Sequence, residues 1–251
     1  LNPFLLLLAA MSAVIVFAAA CSSEPDVKPT IRLSDQQFES LWINNAIFKF
    51  VVENGYGYPV ETVELTTPLM QAALAEGDVD INMEGWQQNF IDNYNEQIAE
   101  GNYANLGPTY EGGPQFFMVP TYTAEKYNIK TVDDMKKHWK VVEDPEDSSK
   151  GQFINCPIGW QCAEINRAKL EAYGLDEFFN IASGGTGAAL DAALVGAQKK
   201  NQPVFGYYWA PTSIMGAYEW TVLEEPPYTE ACWEEVSKGQ LDATYTPKEA
   251  C

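Results

Sequence analysis

The chain has 251 residues, of which 46% are hydrophobic and 20% charged, so it is long enough for one large or two modest domains with a true core. Acidic residues outnumber basic ones by 35 to 15, which gives a formal net charge of −20. A charge of this sign and size repels polyanions and therefore excludes nucleic acid as a partner.

The first residues predict export. Residues 4–20 are apolar apart from Ser12, and they end in three alanines before Cys21. An apolar run followed by small residues is typical of a secretory signal peptide, and a cysteine at this point resembles the lipobox of bacterial lipoproteins, in which the thiol is acylated. We expect residues 1–21 to be such a signal and residues 22–30 to be a polar tether. The alternative is an uncleaved anchor, although the run barely reaches the length of a membrane-spanning helix.

After residue 30, short strands alternate with amphipathic helices. In the first half of the chain the pattern predicts strands over 30–34, 59–65 and 79–83 and helices over 38–53, 68–77 and 87–100. Strands and helices that alternate in this order form a mostly parallel sheet flanked by helices.

The pattern restarts after a Gly-rich approach to a strand that ends near residue 120. It predicts helices over 123–129, 131–139, 161–173 and 186–201, and strands over 151–155, 178–183, 203–209 and 220–225. The expected fold is therefore α/β with two lobes: lobe I over 31–115, lobe II over 116–222, and a segment, 223–251, that returns toward lobe I.

Three tryptophans occupy equivalent places in this pattern. Trp86, Trp160 and Trp209 each come just past the C-terminal end of a predicted strand. Ligands of open α/β sheets bind at that edge, and small molecules usually bind in the cleft between two lobes. Packing explains any one of these residues alone, whereas all three together favour a ligand-binding cleft.

The cysteines are expected to form disulfides, because exported proteins tend to pair their thiols. Without Cys21 four cysteines remain, an even number. We expect the local pairs Cys156 with Cys162 and Cys232 with Cys251, while two other pairings are possible in principle. A zinc site is disfavoured, since the spacings contain no CxxC pair and the chain has a single histidine.

Over about residues 30–225 the sequence resembles the substrate-binding proteins of glycine betaine/proline betaine ABC transporters. The most specific stretches are "CPIGWQCAEINRAKLEAYGL" and "QPVFGYYWAP", supported by "ALAEGDVDINMEGW" and "PQFFMVPTYTAEKYNIKTVDDM". The resemblance implies a type II-like periplasmic-binding-protein fold. It also implies that the chain ends early, because family members continue past this point.

The resemblance also implies roles for the tryptophans. In that family three tryptophans form a box around a trimethylammonium group, so Trp86, Trp160 and Trp209 are expected to form it here. One branch of the family closes the loop around the middle tryptophan with a disulfide, which makes the Cys156–Cys162 pair a brace for one wall. A box of rings suits this ligand, because a quaternary ammonium has no N–H to donate and is instead attracted to aromatic faces.

The other end of a betaine is a carboxylate, and it needs donors of its own. The backbone N–H groups of Gln161 and Cys162, at the start of a predicted helix, are the expected anchor. Where that branch of the family has a carboxylate-binding histidine, this chain has Phe90. Gln88 and Asn89 are candidate substitutes for it.

Two further residues are weaker candidates. Glu84 precedes Trp86 by two positions and shares its face of the predicted strand, so a Glu84 that reached the cleft would favour choline. The ordinary interpretation of Glu84 is a solvated carboxylate at a strand end. Tyr208 is a candidate because it neighbours Trp209.

The sequence therefore predicts a monomeric, lipid-anchored binding protein at the outer face of the cytoplasmic membrane or in the periplasm. It would capture glycine betaine, or alternatively choline or carnitine, and deliver it to the permease and ATPase subunits of an ABC importer. Neither a cofactor nor a metal is expected, and with one histidine there is no credible nucleophile and base for an enzyme. A carbohydrate-binding surface protein is the remaining rival, because tryptophans that stack on sugars also line clefts.

Overall fold

The computed structural model describes residues 27–251, in which strands and helices alternate. The predicted signal peptide, the lipobox Cys21 and most of the tether lie outside these residues. Between residues 27 and 251 no helix is both long and apolar enough to cross a membrane.

The first lobe is built on a parallel pair of strands, β1 (Ile31–Asp35) and β2 (Val60–Glu64). The strand expected over 79–83 is reduced to a single parallel bridge between Leu33 and Ile81. The chain leaves the sheet there because the Glu84 backbone N–H donates to the Asn82 side-chain oxygen at 3.2 Å, which closes a local turn.

Helices of the first lobe surround this sheet, with bounds Glu39–Val51, Thr67–Glu76 and Ile91–Glu100. A π-helical turn, Val52–Tyr56, extends the first of them. A 3₁₀ turn, Gln87–Phe90, precedes the third, so the helix expected over 87–100 begins four residues later in α-helical form. Gly77 and Gly101 end their helices at φ of 77° and 80°, the left-handed conformation that glycine adopts without steric cost.

The second lobe contains a five-stranded sheet. Its strands are β3 (Gln115–Pro120), β4 (Gly151–Asn155), β5 (Phe179–Ser183), β6 (Phe205–Trp209) and β7 (Trp220–Val222). They lie in the order β5-β4-β6-β3-β7. β4 pairs in parallel with β5 and β6, whereas β3 pairs antiparallel with β6 and β7.

This sheet is therefore mixed, and not mostly parallel as expected. The register explains the reversal: Gln115, the first residue of β3, pairs with Trp209, the last residue of β6. The chain enters the second lobe at the edge where β6 ends, so β3 runs away from that edge while β6 runs toward it.

Helices of the second lobe cover both faces of the sheet, with bounds Thr121–Tyr127, Met135–His138, Cys162–Ala172, Gly187–Lys200 and Ser213–Ala217. The helix expected over 131–139 is shorter, because residues 131–134 form a bridge and a turn before it, and residues 139–142 follow it as a 3₁₀ turn. The core of the lobe centres on Phe117, Phe153 and Phe205, whose rings pack edge to face with centroids 4.8–5.9 Å apart.

The C-terminal helix, Glu230–Leu241, packs on the helix that follows β4. A disulfide from Cys232 in this helix to Cys251 ties down the last residues. The helix also reaches the first lobe, since the Gln240 side chain donates to the Asn89 carbonyl at 3.0 Å. The segment after β7 thus contacts both lobes.

Candidate functional site

Side chains from both lobes line one cavity of about 480 Å³ that opens to solvent. Its aromatic lining is Phe38, Trp86 and Phe90 from the first lobe and Trp160, Tyr207 and Trp209 from the second. All three tryptophans singled out in the sequence therefore meet at the same cavity.

Three of these rings form a corner. Phe38, Trp160 and Trp209 have pairwise centroid distances of 5.5, 6.1 and 5.6 Å, and their planes cross at 79–82°. The three rings are therefore in edge-to-face contact with one another, and each of them also lines the cavity. Faces carry the negative part of the ring quadrupole, so the corner attracts a cation that has no proton to donate.

Trp160 is held by contacts with the first lobe. Its indole N–H donates to the Gln36 carbonyl at 2.7 Å. One residue earlier, the Gly159 carbonyl accepts a hydrogen bond of 3.0 Å from the Thr67 N–H, at the start of a first-lobe helix. Gly159 has φ of 99°, a conformation that requires glycine, and a Cβ there would lie 3.0 Å from the Thr66 side chain.

The loop that carries Trp160 is closed by a disulfide between Cys156 and Cys162. Both cysteines are buried, at 0% and 4% exposure. The bridge joins the end of β4 to the first turn of the next helix, so the tryptophan lies on a short closed loop between two regular elements. This pairing agrees with the expected one.

Trp209 is the last residue of β6, one position earlier than the place just past the strand that the sequence predicts. It is buried, and within the described residues its indole N–H has no hydrogen-bond partner. Since side chains alternate along a strand, Tyr207 shares its face and also lines the cavity.

Tyr208 points to the other face of β6, which corrects its candidacy as a ligand contact. Its side chain is 0% exposed and its hydroxyl donates to the Asp191 carboxylate at 2.7 Å. Burial raises the pKa of the Tyr208 hydroxyl. Burial is also the largest cause of the raised pKa of the Asp191 carboxyl. Tyr208 is a core residue.

Trp86 follows the turn that ends the first-lobe bridge, and it precedes the 3₁₀ turn at residues 87–90. Its indole N–H donates to Glu84 Oε2 at 3.3 Å. Gly113 packs against the ring, where a Cβ would lie 3.2 Å from the nearest indole carbon. Glu84 is 6% exposed and lines the cavity, so its interpretation as a solvated strand-end carboxylate is wrong.

The expected carboxylate anchor lies at the cavity wall. Gln161 and Cys162 both line it, and the helix Cys162–Ala172 begins directly after Gln161. The first N–H of this helix that has an acceptor is that of Ala163, which donates to the Trp160 carbonyl in the preceding loop at 3.1 Å. Within residues 27–251 the N–H groups of Gln161 and Cys162 therefore have no acceptor.

Of the two candidate substitutes for the absent histidine, the structure brings only Asn89 to the cavity. Asn89 and Gln115 exchange amide hydrogen bonds of 3.3 and 2.8 Å, and the Tyr207 hydroxyl donates to Gln115 Oε1 at 2.7 Å. Gln88 instead approaches the Tyr228 hydroxyl, at 3.5 Å. Phe90 lines the cavity as an apolar ring.

Sequence reasoning missed six lining residues, namely Gln36, Phe38, Thr67, Met70, Gln115 and Tyr207. Strand alternation from Trp209 is the signal that would have selected Tyr207 over Tyr208. Gln115 faces Trp209 across the β3–β6 pair, which the sequence alone does not specify. Within the described residues, no cluster of three or more His, Cys, Asp or Glu side chains could hold a metal ion.

The chain is similar to proteins of one known family. A family model described as the substrate binding domain of ABC-type glycine betaine transport systems matches residues 29–234. The glycine betaine-binding periplasmic protein OusX of Dickeya dadantii is 27% identical over 189 residues, 74% of this chain and 54% of its own. The glycine betaine/proline betaine-binding periplasmic protein of Salmonella typhimurium is 26% identical, over 71% of this chain and 53% of its own. This chain thus spans about half the length of these two relatives.

A third relative is similar over more of the chain. The trimethylamine N-oxide-binding protein of Pelagibacter ubique is 25% identical over 235 residues, 90% of this chain and 73% of its own.

Two solved structures share the fold. The glycine betaine/L-proline-binding protein of Borrelia burgdorferi aligns with a TM-score of 0.67 at 21% identity, over 78% of this chain and 69% of its own. The lactococcal protein OpuAC, in its closed-liganded conformation with glycine betaine, aligns with a TM-score of 0.63 at 18% identity, over 79% of this chain and 72% of its own. These similarities confirm the expected two-lobed α/β fold of type II periplasmic binding proteins.

Proposed function

The chain belongs to the family of substrate-binding domains of ABC-type glycine betaine transport systems, and from this premise we propose that it captures a small quaternary ammonium solute, glycine betaine first, in the cavity between its lobes. The observation that carries the proposal is the corner of perpendicular rings at Phe38, Trp160 and Trp209.

The energetics call for recognition at both ends of the ligand. Each desolvated ring contributes on the order of 2 kcal/mol to cation binding. Three rings therefore supply about 6 kcal/mol, whereas micromolar affinity needs roughly 8 kcal/mol. The N–H groups of Gln161 and Cys162 are the second anchor in this proposal, because they lie at a helix start beside the ring of Trp160.

The transport role follows from the family. We propose that the loaded protein docks on the permease of an ABC importer, which hydrolyses ATP in its own ATPase subunits, while this chain does no chemistry. The proposed location is outside the cytoplasmic membrane, as a monomer held by an acylated Cys21.

Trimethylamine N-oxide is a second candidate ligand, favoured by a specific observation. In an amine oxide the negative oxygen is bonded directly to the nitrogen, so its donor must lie among the rings themselves. Trp209 offers such a donor, since its buried indole N–H has no partner within the described residues. The relative with this printed specificity is also similar over 90% of the chain.

Calorimetric titration with glycine betaine, choline and trimethylamine N-oxide tests the proposal. Micromolar binding of betaine with much weaker binding of choline supports the ring corner together with the anchor at Gln161 and Cys162. If trimethylamine N-oxide binds most tightly of the three, we infer that the indole N–H of Trp209 contacts the negative oxygen of the ligand. If none of the three ligands releases or absorbs heat and a sugar such as glucose does, the proposed function is wrong.

A further inference from the structure

Glu84 is a buried carboxylate surrounded by neutral donors. It is 6% exposed and lies at the cavity wall. Its oxygens accept hydrogen bonds from Asn44 Nδ2 at 2.6 Å, Tyr110 Oη at 2.9 Å, Ser40 Oγ at 3.0 Å and Trp86 Nε1 at 3.3 Å. A group that only accepts, and that meets four converging donors, suits the ionised form of a carboxyl.

No cation balances this charge. Within residues 27–251 no lysine, arginine or histidine forms an ion pair with Glu84. Burial, and then the nearby carboxylate, raise the pKa of the Tyr110 hydroxyl, so that residue remains a neutral donor. Hydrogen bonds satisfy the oxygens, but the net negative charge persists at the cavity wall, where buried charges normally need a partner of opposite sign.

The position of this charge is significant because Trp86 connects it to the cavity. The hydrogen bond from the indole N–H fixes the ring at one angle, and the same ring faces the cavity. A ligand cation beside that ring lies within the field of the carboxylate, in a region partly shielded from water.

We propose that Glu84 is the counter-charge of the cation site and the positioning residue for Trp86, so that the site selects its ligand by formal positive charge as well as by shape. This inference rests on the proposed function, since it needs an ammonium group in the cavity. It goes further by assigning a role to a buried carboxylate that the ring corner and the N–H anchor do not use.

The test compares each ammonium ligand with an isostere that lacks the positive charge, because a neutral tert-butyl group replaces trimethylammonium. The pairs are glycine betaine with 3,3-dimethylbutanoate and choline with 3,3-dimethylbutan-1-ol. In Glu84→Gln we expect the affinity for the ammonium ligands to fall on the order of tenfold, while the isosteres bind as to the unmodified protein. A merely structural role would weaken both members of a pair equally.

Three further variants make the result decisive. Asn44→Lys places a cation beside Glu84 at a half-buried position and neutralises the charge without removing it, so it should reproduce the loss even if Glu84→Gln fails to fold. Trp86→Phe keeps an aromatic ring, although a smaller one, and removes the indole N–H that donates to Glu84, so it should weaken both members of a pair. Glu64→Gln removes an exposed carboxylate of the same lobe and should change nothing.

The outcomes separate this inference from the proposed function. If ammonium ligands bind the unmodified protein and neither Glu84→Gln nor Asn44→Lys changes their preference over the isosteres, the counter-charge role is overturned while the ring corner stands. If the unmodified protein binds no ammonium ligand at all, the proposed function fails, and the counter-charge role fails with it.

Discussion

At the scale of single residues, Trp160 has two functions at once. Its ring forms one side of the corner with Phe38 and Trp209, and its N–H reaches the Gln36 carbonyl in the other lobe. A tryptophan that only filled a core would need neither contact. On the proposed function, the residue links ligand binding to the contact between the lobes.

Replacing this residue should have a large effect on binding. In Trp160→Ala we expect glycine betaine binding to weaken by at least about 2 kcal/mol, roughly 30-fold, because one desolvated ring is lost. Titration calorimetry measures the change. Trp42→Ala, which removes a half-exposed tryptophan whose N–H binds Asp35 away from the cavity, is the matched control and should keep the affinity. Unchanged affinity in Trp160→Ala would rule out the ring corner as the site.

Some of the cavity-lining residues were predictable from local sequence rules. The tryptophans follow from their place at strand ends, and the choice of Tyr207 over Tyr208 follows from strand alternation. Phe38 was not predictable in this way, because it reaches Trp160 and Trp209 from a distant part of the chain. The burial of Glu84 likewise depends on donors from Ser40 onward that only the folded chain assembles.

At the scale of elements, the loop of residues 156–162 combines several functions. It contributes one ring, two N–H groups that have no acceptor in the described part of the chain and, through Gly159, a carbonyl that binds the first lobe. The disulfide closes this loop at both ends. The geometry of this loop therefore determines the positions of the ring, the two N–H groups and the Gly159 carbonyl together.

Removal of the bridge tests this role. In the double variant Cys156→Ala with Cys162→Ala we expect the free energy of unfolding to fall by roughly 2 kcal/mol and the affinity to fall several-fold, because the open loop must be ordered on binding. Substitution is preferable to a reductant, since both sulfurs are buried. Circular dichroism follows the fold and calorimetry the affinity.

The second disulfide supplies the control. Cys232→Ala with Cys251→Ala opens a longer loop and should cost about 3 kcal/mol of stability, with the affinity unchanged because that bridge lies away from the cavity. Equal losses of affinity in the two double variants would show that the first bridge acts only through stability.

Most elements of the fold were predictable from hydrophobic periodicity and glycine stops, including the helix at 162–172 and the strands β4 to β6. The direction of β3 was not, because it depends on the edge at which the chain enters the second lobe. The strand expected at 79–83 was lost to a single side-chain contact, Asn82 with Glu84, which competes with pairing to β1.

At the scale of the whole molecule, the two lobes meet at close range around the cavity. Gly187, the first residue of a second-lobe helix, packs against the backbone of Gln37 in the first lobe and against the ring of Trp160. A Cβ at this position would lie 2.9 Å from the Gln37 carbonyl oxygen and 3.1 Å from the indole. The close approach of the lobes at this point therefore requires a residue without a Cβ.

Gly187→Ala should keep the lobes from meeting. We expect the affinity for glycine betaine to fall on the order of tenfold, because the backbone carbonyl cannot yield without moving its lobe and the ring of Trp160 is displaced. Gly196→Ala in the same helix meets no atom within 4 Å and should leave the affinity unchanged while stabilising the helix. Calorimetric titration with glycine betaine measures the affinity of both variants. Equal affinities would show that the close contact of Gly187 with the first lobe is unnecessary for binding.

The closed loop around Trp160 also constrains how the specificity of this protein can be changed. Since the same seven residues supply a ring, two donors and the contact with the other lobe, a substitution that admits a bulkier solute there also disturbs the fit between the lobes. Phe90 is different, for it lines the cavity and packs on Tyr94 within its own lobe. Directed evolution of a biosensor from this scaffold should therefore vary Phe90 first and leave the loop intact.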